Sequence, residues 1–236
     1  VDQYTVQELW FEFCESIKNN NRFFSNHFFN GEDLKKLFFE NSRTVKKDKQ
    51  LFRARNGGEI CQNGRLKPYP ISKMGAPSSG KTGNGRANPK GIAYLYLATS
   101  IDTAIAEMRP VKNAKISISK VSLLEDISII DFSGQISARS PFEAENLRHE
   151  WARIHLMQEI GKYFSMPIDP ALSDIEYVPT QFISEYIKSL EYYDGFVFQS
   201  SLGPGLNYVI FDQKKTKPHR AKLYTVTDIQ YKFEKK

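Results

Sequence analysis

The stretch "GRANPKGIAYLYLATSIDTAIAEMRP", Gly85 to Pro110, changes period in its middle, and that change decides the fold. In "GIAYLYLA" apolar and aromatic residues alternate, so Tyr94 and Tyr96 share one face of a strand while Leu95 and Leu97 share the other. The next twelve residues, "TSIDTAIAEMRP", switch to helical spacing. Thr99 and Asp102 form a T-x-x-D capping box, Ile101, Ala104, Ile105 and Met108 make an apolar stripe, and Pro110 stops the helix. Glu107 falls on the flank of that stripe. A strand with an aromatic face thus runs directly into a short helix that carries a carboxylate.

Upstream, "QLFRAR" has period two, with Phe52 and Ala54 on one face and Arg53 and Arg55 on the other. Between that strand and the opening stretch lies a Gly/Pro/Ser/Lys-rich loop from Asn56 to Asn88, long enough to be functional and to act as a lid. It contains "GAPSSGKT", Gly75 to Thr82, which fits the phosphate-loop pattern G-x-x-x-x-G-K-[ST]. A working phosphate loop needs a buried strand before it and a helix after it. Here "GRLKPYPISKM" precedes it with two prolines and "GNGRANPKG" follows it, so neither flank can form and the match is an accident of composition.

Residues 6–24 place Leu9, Trp10 and Phe13 at helical spacing, and "GEDLKKLFFEN" begins a second amphipathic helix. Downstream, strands are expected at "AKISISKVSL", "ISIIDF", "GFVFQSS", "NYVIFD" and "AKLYTVTDIQYKF", with helices at 143–165 and 180–190. No fixed-period repeat is present. The order is neither regular βαβ alternation nor all-β, which leaves a mixed α+β fold as the expectation.

Composition agrees. The chain has 236 residues, 40% of them apolar, enough for a sizeable core. It carries no apolar run long enough to span a bilayer and no visible leader, so the cytoplasm is the expected compartment. Cys14 and Cys61 are too few for a disulfide framework. The four histidines, His27, His149, His155 and His219, show neither triad nor metal spacing, so no metal site is expected. Lys and Arg outnumber Asp and Glu by 33 to 27, a net charge of +6 that favours an anionic ligand. Much of the excess lies in "TVKKDK" and "QKKTKPHR", which read as solvated surface, so nucleic acid is a disfavoured partner.

Three stretches taken together, Arg53 in "LFRAR", Arg86 with Tyr96 and Glu107 in the opening stretch, and Ser200 in "YDGFVFQSSLGPGLNYVIFD", resemble the RES domain family. The most specific part is "GRANP-x-G-x-x-Y-L-Y-L-A" followed by "TAIAE", and the resemblance covers roughly residues 50–212. It implies a fold like that of ADP-ribosyltransferases, a mixed sheet with an N-terminal helical segment at 1–45 packed on a RES-like domain at 46–236. It also implies a toxin that degrades NAD⁺, with NAD⁺ as substrate rather than cofactor, inorganic phosphate as a potential co-substrate, and an antitoxin or phage-defence partner.

On that resemblance the residues acquire roles. Breaking the nicotinamide–ribose bond leaves an oxocarbenium-like sugar, which a nearby carboxylate stabilises, and Glu107 is the candidate. Guanidinium forks match phosphate oxygens, and Arg53 and Arg86 are the candidates for the pyrophosphate. Tyr96 offers an aromatic face to the cationic nicotinamide ring. Asn88, Ser200 and Asn207 complete the substrate-binding set, with Ser201 as the neighbour that competes with Ser200. Two alternatives stay open: an ADP-ribosyltransferase that modifies a protein or nucleic acid, and a non-catalytic basic module that binds nucleic acid.

Overall fold

The computed structural model of the chain describes residues 3–22, 31–134 and 147–230. Two helices open it, α1 (Gln3–Asn19) and α2 (Gly31–Glu40), followed by strands β1 (Ser42–Val45) and β2 (Gln50–Asn56). The long loop carries a small hairpin, β3 (Glu59–Ile60) with β4 (Leu66–Lys67), before β5 (Leu95–Ala98) and helix α3 (Ile101–Glu107). Then come β6 (Lys115–Leu123), β7 (Ile127–Phe132), the helices α4 (Leu147–Ser165), α5 (Ser173–Glu176) and α6 (Val178–Ser189), and the strands β8 (Gly195–Gln199), β9 (Leu206–Ile210), β10 (Thr216–Pro218) and β11 (Lys222–Thr225).

Nine strands form one mixed sheet in the order β1-β7-β8-β9-β5-β2-β6-β10, with β11 also on β6. Every pairing is antiparallel except β7 with β8. A parallel pair needs a long crossover, and α4, α5 and α6 supply it. The α+β expectation therefore describes this chain.

Alternation along the strands distributes three apolar cores. Phe132, Phe196, Phe198 and Val209 pack under α1, α4 and α6 against Trp10, Phe13 and Phe164. On the opposite face Ile129, Val197, Tyr208 and Ile210 meet Leu51, Leu95, Val121 and Leu123, so both arms of the sheet share a second core. A third, small one joins α3 to β2 and β6 through Ala104, Ala54, Ile116 and Ile118, with Ile101, Ile105 and Met108 packed on it as their spacing requires. Tyr94 and Tyr96 lie toward the first core, Leu95 and Leu97 in the second.

Three expectations need correction. The cap of α3 is Ser100, not Thr99: Ser100 Oγ accepts from the Thr103 amide at 3.0 Å. Thr99 is still held in strand pairing, its amide donating to Leu206 O and its Oγ1 accepting from Leu206 N, so the helix starts one residue later. The loop at 56–88 is not structureless, since it holds the β3–β4 hairpin and two single turns at Ile71–Lys73 and Ser79–Lys81. The last strand ends at Thr225, and 231–233 of its expected span lie outside the described residues. Strands β1 and β10, absent from the sequence reading, extend the sheet at either end.

At the chain's start, α1 packs on α4 and α6, with Trp10 edge-on to Tyr163 and Phe13 edge-on to Phe182. Residues 42–45, the end of the N-terminal segment, pair with β7 as an edge strand. No helix among the described residues is long and apolar enough to cross a membrane.

Candidate active site

The site begins where two strands part. β2 pairs with β6 over its whole length but with β5 only at Phe52 and Ala98. Beyond that single bridge β2 and β5 diverge, and a cleft of about 450 Å³ opens between them, a size suited to a small-molecule ligand. Arg53 lies at the fork. Its Nη1 donates to the carbonyl of Tyr96 at 2.8 Å, replacing the strand pairing that the divergence breaks. Its Nε is sequestered from solvent without a hydrogen-bond acceptor. Burial, reinforced by the like charge of Arg55, lowers the Arg53 pKa to about 10. The group therefore stays cationic at neutral pH, while no carboxylate among the described residues pairs with it. Arg55 takes a different route, donating to Lys73 O and lying 5.3 Å over the Tyr69 ring.

Glu107, also in the lining of the cleft, ends α3. Its Oε1 accepts from Ser200 Oγ at 2.7 Å and from Asn207 Nδ2 at 2.6 Å. Its Oε2 accepts no hydrogen bond among the described residues. The carboxylate is thus pinned by one oxygen and offered by the other. Ser200 is itself fixed, because its Oγ accepts from the amides of Leu202 and Gly203. That tight turn lies against α3: a Cβ on Gly203 would come 2.8 Å from Thr103 Cα, so only glycine allows the approach. Ser200 is buried and Ser201 exposed, which distinguishes the two neighbours by position. Asn207 lines the cleft, whereas Ser200 sits behind the carboxylate.

The remaining wall is the turn at 84–88. Tyr96 reaches it with a hydroxyl that donates to Asn88 Oδ1 at 2.7 Å and accepts from the Ala87 amide at 3.0 Å. Both hydrogen-bonding roles of the phenol are filled, and burial holds its pKa well above the usual value. What Tyr96 presents to the cleft is therefore its ring. Asn88, expected to touch substrate, is buried and committed instead, since Nδ2 donates to Gly83 O and Pro89 O while Oδ1 takes the tyrosine proton. It shapes the turn from behind and does not line the cleft.

Arg86 does line the cleft, but its Nη1 donates to Tyr163 O at 3.1 Å and Met166 O at 2.6 Å, carbonyls at and just past the end of α4. Its guanidinium also lies 5.6 Å over the Tyr177 ring. This arginine ties the turn to the α4–α6 layer, leaving only part of its fork for a ligand.

Residues that the sequence did not single out hold the same turn. Gln181 Nε2 donates to Asn84 Oδ1, Gly85 O and Asn88 O, and Thr180 Oγ1 donates to Arg86 O. Tyr177 and Arg109 join the lining. Nothing in "VPTQFISEYIKSL" marks Gln181 as a partner of residues nearly a hundred positions earlier. Outside the cleft, His219 meets Ser122 Oγ and the His155 ring lies tilted against Trp151. No group of three His, Cys, Asp or Glu side chains gathers among the described residues.

The fold is shared with a chain from the crystal structure of the M. tuberculosis MbcT–MbcA toxin–antitoxin complex, at a TM-score of 0.50 and 13% identity, over 84% of this chain and 93% of that one. At that identity the likeness concerns the fold alone. No curated protein matches the sequence. Residues 64–234 match the family described as RES domain, a span that contains Arg86, Tyr96, Glu107, Ser200 and Asn207 and begins eleven residues after Arg53. With well over half of its length matched, the chain belongs to the RES domain family.

Proposed function

We propose that the chain is a toxin-like enzyme that consumes NAD⁺ by cleaving its nicotinamide–ribose bond. The observation that supports this best is that one cleft is lined both by Glu107, with Oε1 held by Ser200 and Asn207 and Oε2 without a hydrogen bond among the described residues, and by the guanidinium of Arg53, which pairs with no carboxylate there. A dinucleotide with an anionic pyrophosphate and a ribose that becomes cationic in the transition state matches that pair in sign.

In this reading the C1′–N bond breaks with its electron pair passing to the ring nitrogen, so the pyridinium leaves as neutral nicotinamide. The positive charge left on the ribose meets Glu107 Oε2, already oriented and needing no rearrangement. The Tyr96 and Tyr177 rings offer aromatic surface to the nicotinamide ring, which is cationic until the bond breaks. An oxygen of water or phosphate then bonds to C1′ and gives up its proton to solvent. The structural neighbour comes from a toxin–antitoxin complex, and an antitoxin that blocks this cleft is the partner we propose for this chain.

The test is to incubate the pure protein with NAD⁺ and follow free nicotinamide, with and without phosphate. Nicotinamide should appear, and the mass of the sugar product names the acceptor. Loss of no NAD⁺ under either condition sinks the proposal, while ADP-ribose found attached to an added protein or nucleic acid would assign the chain to the transferases instead.

Two pairs of substitutions check the boundaries of the site. Lys81 is exposed and absent from the cleft, and Thr82 Oγ1 bonds to Ser78 O, so Lys81→Ala and Thr82→Ala should leave NAD⁺ turnover within a few-fold of wild type. A loss beyond about a hundredfold in Lys81→Ala would mean that the glycine-rich loop makes a phosphate contact. Ser200→Ala removes one of two donors to Glu107 Oε1 and should lower kcat roughly tenfold, about 1.4 kcal/mol. Ser201→Ala should do nothing, and the reverse ranking would show that the wrong serine has been assigned.

A further inference from the structure

Two guanidinium groups are expected on the pyrophosphate, yet Arg86 already gives its Nη1 to two carbonyls and stacks on Tyr177. Of that pair, only Arg53 has a single carbonyl on its fork. The cleft contains a third guanidinium, Arg109, two residues after the carboxylate. Arg109 has no ion pair or side-chain hydrogen bond among the described residues. Its backbone is unusual as well: φ is +44°, in the left-handed region that glycine and asparagine tolerate and arginine does not favour. Its amide donates to Ala106 O, closing α3, and Pro110 follows, which prevents the helix from continuing.

Glycine or asparagine is the ordinary choice for such a position at a helix end. An arginine there keeps the strain and directs a long cation to the rim of the cleft, the pattern by which backbone strain collects at ligand sites. Three guanidiniums and one carboxylate then line a cleft whose substrate carries two phosphates.

We propose that Arg109 is a further substrate-binding residue, taking the phosphate on the 5′ oxygen of the ribose whose glycosidic bond is broken, while Arg53 takes the phosphate on the adenosine side. The assignment follows from chain distance. Arg109 leaves the backbone two residues from Glu107, so its fork reaches the phosphate nearest the ribose that Glu107 attends. It rests on the reading of the cleft as an NAD⁺ site.

The experiment compares Arg109→Gly and Arg109→Asn with wild type in calorimetric titrations against two probes. Reduced nicotinamide mononucleotide carries the nearer phosphate and has no cationic leaving group, and AMP carries the farther one. Both substitutions suit a left-handed backbone, so Tm should hold or rise. Affinity for the reduced mononucleotide should fall at least tenfold, the scale of one charged hydrogen-bonded contact, and affinity for AMP should stay within twofold. Unchanged affinity for the mononucleotide in a variant of wild-type Tm overturns the proposal, and so does an equal loss for both probes, which would be nonspecific charge. A wild-type protein that binds neither probe sinks the NAD⁺ reading along with it. A wild-type protein that binds both while the variants behave as wild type sinks the Arg109 assignment alone.

Discussion

Glu107→Gln should abolish most of the turnover while leaving NAD⁺ bound. Glutamine keeps the length of the side chain and an oxygen that can accept from Ser200 Oγ and Asn207 Nδ2, so the two hydrogen bonds that position Glu107 survive the change. What disappears is the negative charge, and with it the stabilisation of the cationic ribose. Removing one preorganised electrostatic contact of this kind costs about 3–5 kcal/mol, or roughly a hundredfold to ten-thousandfold in kcat. Helix propensity hardly differs between the two residues, so Tm should be unaltered. The measurements are kcat from nicotinamide release and the dissociation constant of NAD⁺ from calorimetry. A folded variant that turns NAD⁺ over at the wild-type rate returns Glu107 to the status of a surface carboxylate. In a host that the wild-type protein poisons, this is the variant that should accumulate.

The strand–helix unit at 95–107 is legible in the sequence, though its strand starts four residues later than the alternation from Gly91 suggests, because its two periods succeed each other and each buries its own set of residues. The same local rules cannot show which carbonyls a long side chain will find. Arg86 reads as a free cation in a glycine-rich loop, yet its partners, Tyr163 O and Met166 O, come from the end of a helix some eighty residues later. Asn88 reads as a polar loop residue open to substrate, but three hydrogen bonds hold it behind the turn. The strands β1 and β10 are four and three residues long, too short for alternation to register against their lysine-rich surroundings. Ser200 and Ser201 are indistinguishable by composition. They separate only when the glycines that follow allow the turn to close on α3 and bury the first of them.

Arg53→Ala should raise KM and lower kcat together, because a fork on the pyrophosphate acts in the bound substrate and in the transition state alike. The expected loss in kcat/KM corresponds to about 2–4 kcal/mol, the range for charged, partly desolvated hydrogen bonds. Arg53→Lys should recover little of it, since an ammonium cannot donate both to Tyr96 O and to a phosphate in the geometry of a planar fork. The ionisation of Arg53 adds a pH signature. Its pKa lies near 10 because burial disfavours the cation and no counter-charge offsets that cost. A bound phosphate would supply the counter-charge and raise the pKa, so binding and protonation favour each other. Below about pH 9 the free protein already carries the charge and affinity should be flat. As pH rises through 10 the free form loses its proton and NAD⁺ affinity should fall, with proton uptake on binding visible in calorimetry in that window. If Arg53→Lys restores full activity, Arg53 acts only as a nearby charge or as a structural bridge where β2 leaves β5, and the phosphates must be held elsewhere in the cleft.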